Sequence, residues 1–137
     1  MKKTVDVTWK KDMKFEVDID NHKIIVDAAR EVGGNDEGPR PKPLMLAALG
    51  GCTGMDVVSL LKKMRLEYDY FNVKVEGDLT DEHPRHFYKI MIIYEIKGKE
   101  IDRAKVEKAI DMSLSKYCGV SAVYQKALEL KHELRIL

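Results

Sequence analysis

Apolar and polar residues alternate from the start of the chain: Val5, Val7 and Trp9, then Phe15 and Val17, then Ile24 to Val26 after the turn formers Asp20 to His22. A period of two sends successive side chains to opposite faces, so this stretch predicts three antiparallel strands. The pattern breaks from Asp27 to Pro43, where Gly33, Gly34, Asn35, Gly38, Pro39 and Pro41 crowd together and predict one long loop without regular structure. Pro43 suits the first turn of a helix, where its missing N–H would have had no partner. Apolar residues then run from Leu44 to Met64. Leu44 to Leu49 is apolar all round, and Lys62, Lys63 and Arg65 suit a helix C-terminus. A long, largely buried helix is expected there.

Strand-like runs return at Tyr68 to Val75 and Phe87 to Ile96, joined by the polar loop GDLTDEHPR with Pro84 in it. Asp102 is a candidate N-cap for a helix through Ser115 that carries Val106, Ile110 and Leu114 on one stripe. A shorter helix is expected from Gly119 to Ala127, and Leu130, His132, Leu134 and Ile136 alternate into a closing strand. Strands, long helix, strands, two helices and a strand predict an α+β two-layer sandwich with antiparallel sheets, rather than repeated βαβ units. A buried helix of about 20 residues exceeds the usual length of about 11 to 12 and needs cover on its far side. A second copy of the chain is the simplest cover, so an intertwined homodimer is expected.

Composition narrows the classes of function. With 137 residues, 45% hydrophobic and 34% charged, the chain suits a single domain over residues 1–137. The formal net charge of +1 offers no field to gather nucleic acid or an anionic membrane surface. The opening MKKTVDVTWKKDMKF has no unbroken apolar core of a signal sequence, and no later run of about 18 apolar residues is expected to span a membrane, so a cytoplasmic location is expected. In that reducing setting, two cysteines in contact would serve a transient, catalytic disulfide better than a structural one.

Those cysteines are Cys52, in LAALGGCTGMDVVSLL, and Cys118, in LSKYCGVSAVY. Glycine inside a helix costs about 1 kcal/mol relative to alanine, so Gly50, Gly51 and Gly54 around Cys52 point to close packing or to access. Cys52 reads either as a small buried hydrophobe or as a nucleophile, which must act as the thiolate. It lies about nine residues inside the helix, beyond the useful reach of the helix dipole, so a cation must assist. Arg40 is the first candidate, ahead of Lys42 and of Lys10, Lys11 and Lys14 in the first sheet. Cys118, between Tyr117 and Gly119 at a break between helices, suits a resolving thiol or a packed small residue. His22, His83, His86 and His132 lack zinc-site spacing, so no metal is expected. No GxSxG, Walker A, GxGxxG or HExxH motif is present.

Three segments, GPRPKPLMLAALGGCTGMDVVSLL, DEHPRHFYKI and AIDMSLSKYCGVSAV, resemble the OsmC/Ohr family of osmotically inducible and organic hydroperoxide resistance proteins. With the order of elements, the similarity covers essentially the whole chain. It implies an interlocked α/β homodimer with active sites at the subunit interface, Cys52 as peroxidatic cysteine and Cys118 as resolving cysteine. It further implies reduction of organic hydroperoxides without metal or flavin, with a small thiol or a lipoyl dithiol as external reductant. Many members carry a glutamate at the head of the cysteine helix, paired with an arginine from the first sheet. This chain has Pro41, Lys42 and Pro43 there, and lysines in the sheet. That departure keeps a second reading open, in which the same dimer is a redox sensor or a binder of small hydrophobic or electrophilic molecules.

Overall fold

The computed structural model describes residues 1–137, which fall into two compact units, Met1–Met45 and Leu46–Leu137. The first unit holds an antiparallel meander of β1 (Asp6–Lys11), β2 (Lys14–Ile19) and β3 (His22–Val26), as the alternation predicts. Asp20 and Asn21 both take positive φ, 47° and 62°, and close the β2–β3 hairpin in two residues. That is the turn whose twist matches the strands it joins, and short polar side chains tolerate it best. The following segment is more ordered than its glycines and prolines suggest. A single 3-10 turn forms over Arg30–Val32, and the Asp27 carboxylate accepts the N–H groups of Ala28, Asn35 and Glu37. These bonds, the one from Glu37 foremost, hold the Asp27 carboxyl below its usual pKa.

Helix α1 spans Pro41–Lys63, two residues earlier than the reading from Pro43 allows. Pro41 and Pro43 both fit inside the first turn, where no intrahelical N–H donor is required. In the second unit, β4 (Tyr70–Leu79), β5 (Phe87–Lys97) and β6 (Glu129–Ile136) form one sheet in the order β4-β5-β6. The β4–β5 pair is antiparallel, but β6 runs parallel to β5, so the expectation of purely antiparallel sheets fails here. Alternation reveals which face a side chain takes and not which way a strand runs. The connection from β5 to β6 carries α2 (Arg103–Met112), a π-helical turn (Ser113–Tyr117) and α3 (Gly119–Tyr124), long enough for the crossover that a parallel pair demands. Asp102 caps α2 as expected, accepting the Lys105 N–H at 3.3 Å.

The core of this unit lies on β5, where Ile90, Ile92, Tyr94 and Ile96 alternate inward and are fully buried. They meet Leu49, Val57 and Leu61 of α1 and Val106, Ala109 and Ile110 of α2. By length and hydropathy α1 could cross a bilayer, with an 18-residue window averaging 1.7. That departs from the expectation of no apolar run of about 18 residues, because the Gly, Thr and Ser among its apolar residues lower its mean hydropathy only slightly. The helix packs on β4 and β5 through one face only, with Leu49, Thr53, Val57, Leu60 and Leu61 buried, so the expectation of a largely buried helix fails for the chain taken alone. A β-carbon on Gly50 would sit 3.1 Å from Val75 Cγ2 and one on Gly54 3.4 Å from Val73 Cγ2, whereas one on Gly51 would meet nothing within 4 Å. Gly50→Ala is therefore expected to destabilise by about 1 kcal/mol, crowding against β4 outweighing the gain in helix propensity. Gly51→Ala, which meets no such crowding, is expected to stabilise by about 0.5–1 kcal/mol. Urea unfolding of both variants checks the pair, and an equal response at the two positions would refute this packing.

Candidate active site

Cys118 owes its position to an irregularity. Its N–H bonds to the Ser113 carbonyl five residues back, at 2.7 Å, so the Ser113–Tyr117 turn holds one residue more than an α-helical turn. Such π-turns recur at functional sites. Here Ser113 and Cys118 are both buried, while Ser115, Lys116 and Tyr117 between them are exposed. Cys118 then begins α3, its sulfur accepting the Ser121 N–H at 3.3 Å and its carbonyl the Ser121 hydroxyl at 3.0 Å. Burial foremost pushes the Cys118 thiol pKa up, and the neighbouring Cys52 sulfur adds to it.

Facing it on α1 are Cys52 and, one turn on, Asp56, both half-buried. The sulfurs of Cys52 and Cys118 and a carboxylate oxygen of Asp56 all lie within 4.8 Å of one another. Both cysteines are free thiols. Two sulfurs 66 positions apart in the sequence thus become neighbours in the fold.

A buried file of hydroxyls fixes Asp56. Tyr94 Oη lies 2.7 Å from Thr53 Oγ1, which lies 2.7 Å from Ser113 Oγ, which donates to Asp56 Oδ2 at 2.9 Å. Ser113 has a single hydroxyl proton, and it points at Asp56. Thr53 must then donate to Ser113, and Tyr94 to Thr53. All three hydroxyl protons are directed toward Asp56, and no buried polar side-chain atom is left without a partner. Burial, only partly offset by the bond with Thr53, pushes the Tyr94 phenol up to about 12, which keeps it the donor at the head of the file.

The remaining candidates lie in the first unit. Arg40, just before Pro41, donates to the Gly38 carbonyl at 2.8 Å and to Asp36 Oδ1 at 2.7 Å. Lys14 pairs with Glu37 at 3.0 Å, and Lys10 stands 4.0 Å from Glu16. Thr53, Asp56, Tyr94 and Ser113 escaped the sequence reading. Asp56 left a signal there: it is the one acid in the apolar run from Leu44 to Leu61, four residues after Cys52 and so on the same helical face.

Comparison with known proteins places these residues in a family context. The family model described as OsmC-like protein matches residues 33–133. Protein YhfA of Escherichia coli strain K12 is 33% identical over 116 residues, which cover 85% of this chain and 84% of that protein. A hypothetical protein from Aquifex aeolicus, of known crystal structure, is 27% identical with a TM-score of 0.82, covering 100% of this chain and 98% of that one. The organic hydroperoxide resistance protein OhrB of Bacillus subtilis shares the fold at 20% identity, with a TM-score of 0.64 over 96% of this chain and 98% of that one.

Proposed function

The chain belongs to the OsmC-like protein family, and from that premise we propose that it is a thiol-dependent peroxidase that reduces organic hydroperoxides in defence against oxidative stress. The observation that carries this reading is the approach of two free thiols to within 4.8 Å, the half-buried Cys52 facing the buried Cys118. In the proposed cycle the Cys52 thiolate attacks the distal oxygen of a hydroperoxide. A sulfur–oxygen bond forms, the oxygen–oxygen bond breaks, and the alcohol leaves with a proton from the medium. Cys118 then attacks the Cys52 sulfenic acid, a disulfide forms and water departs. An external dithiol, such as a lipoyl group, or a small thiol returns both cysteines to the reduced state by exchange.

Burial holds the Cys118 thiol protonated, so its attack on the sulfenic acid requires that proton to be lost, and the proton leaves with the departing hydroxide as water. Arg40, the cation that the sequence suggests for Cys52 activation, is engaged by the Gly38 carbonyl and Asp36 within its own unit. A second copy of the chain would cover the apolar side chains that one copy leaves in solvent, among them Met55, 77% exposed, and Trp9, 59% exposed. The proposed active unit is accordingly a homodimer.

One equivalent of tert-butyl hydroperoxide added to the reduced protein is expected to yield the Cys52–Cys118 disulfide, read as loss of both free thiols and a bridged peptide by mass spectrometry. Catalytic consumption should follow once dithiothreitol or dihydrolipoamide is supplied. The first turn of α1 has no acidic residue, which favours a second reading as a sensor or binder with slowly reacting thiols. Alkylation of Cys52 as a function of pH separates the two: a pKa near or above about 8.5 supports the sensor, a lower one the peroxidase.

A further inference from the structure

We propose that, in the reduced protein, Cys52, Asp56 and Cys118 form a binding site for a thiophilic divalent cation of the zinc class. The inference uses the same sulfur atoms as the peroxidase reading but does not depend on it. Two sulfurs and one carboxylate oxygen from two elements of the fold converge within 4.8 Å. Zinc bound tetrahedrally at about 2.3 Å from sulfur holds two thiolates about 3.8 Å apart, so small side-chain rotations close the set. Two soft ligands and one hard one suit zinc or cobalt(II) and disfavour magnesium and calcium, which take oxygen donors.

The surroundings are those of a supported donor set. Ser113 anchors Asp56 through Oδ2, and the Ser121 N–H steadies the Cys118 sulfur. Bonds of this kind orient metal ligands before the metal arrives. Three protein ligands leave a fourth position for water or a small thiol, the arrangement of an open rather than a closed zinc site. Binding replaces the protons of two thiols: one cation enters, two protons leave, and no electron moves. Cys52 and Cys118 joined as a disulfide can no longer supply two thiolates, so oxidation and metal binding exclude each other at this site.

Cobalt(II) added without oxygen to the reduced, metal-free, full-length protein is the direct test, and it involves no peroxide. Expected are one cobalt per chain, thiolate-to-cobalt charge-transfer absorption, the intense visible bands of tetrahedral geometry, and displacement by zinc. Cys52→Ser and Cys118→Ser should each weaken cobalt binding at least about 100-fold and lose charge-transfer intensity. Asp56→Asn, which still accepts from Ser113 and so protects the fold, should weaken it about 10- to 100-fold. Circular dichroism confirms that each variant is folded, and a variant that fails to fold leaves the decision to the other two and to the wild-type spectrum. A weak octahedral spectrum in the wild type, or charge-transfer bands unchanged in folded cysteine variants, would overturn the proposal.

Discussion

Cys52→Ser is expected to lower the rate of tert-butyl hydroperoxide consumption by about a thousandfold or more, with the fold intact. A serine hydroxyl ionises so far above neutral pH that it offers almost no anion to the peroxide, whereas a thiol near pKa 8.5 offers some even without help. The substitution leaves the packing of α1 in place, because Cys52 is half-buried and the seat of the helix on the sheet is made by Leu49, Thr53, Val57, Leu60 and Leu61. Loss of activity would therefore report chemistry and not unfolding, provided that the circular dichroism spectrum and melting temperature match the parent. Full activity in the variant would remove Cys52 from the reaction and the proposed mechanism with it. The other fifteen residues of LAALGGCTGMDVVSLL contain no second nucleophile of comparable strength.

Cys118→Ser separates resolution from attack. In this variant the first turn of the cycle survives, but the Cys52 sulfenic acid has no neighbouring thiol to condense with. Excess peroxide is then expected to carry Cys52 to the sulfinic and sulfonic acids, seen as the gain of two and three oxygens on its peptide, and activity should decay during turnover. The parent under the same treatment should show the disulfide. Serine keeps the local structure, since its hydroxyl can accept the Ser121 N–H that the Cys118 sulfur accepts and is a strong N-cap for α3. Sustained activity with no oxygen gained on Cys52 would show that Cys118 does not resolve the intermediate.

The elements most legible in the sequence are those whose evidence is local. Alternation marks β1 to β3 and the face of β6, turn formers mark the Asp20–Asn21 hairpin, and strand-like runs mark β4 and β5. Asp102 announces the start of α2, and an apolar run with few breaks marks α1. The direction of β6 was not legible, because pairing with β5 rather than with an antiparallel neighbour is decided by how the intervening helices pack. Asp27 shows a different gap: one carboxylate gathering three backbone N–H groups orders a segment whose glycines and prolines announce only a loop. Of the site, the two cysteines stand out by scarcity and setting. The file from Tyr94 through Thr53 and Ser113 to Asp56 does not, because it joins four residues from three elements. Thr53 and Ser113 look like ordinary helix residues until the fold is known. Asp56 alone carried a visible oddity, a charge in the middle of an apolar face.

The π-turn over Ser113–Tyr117 implies that, in this stretch, spacing matters more than identity. Between two buried residues that both look toward α1, the chain carries four others, of which Ser115, Lys116 and Tyr117 face solvent. Removing one of these three would convert the wide turn into an ordinary one and swing every later side chain by roughly 100° about the helix axis. The second sulfur would leave its partner even though no residue of the site had been replaced. Homologous chains that keep this pocket should accordingly vary freely in the letters at those outward positions and hardly at all in their number.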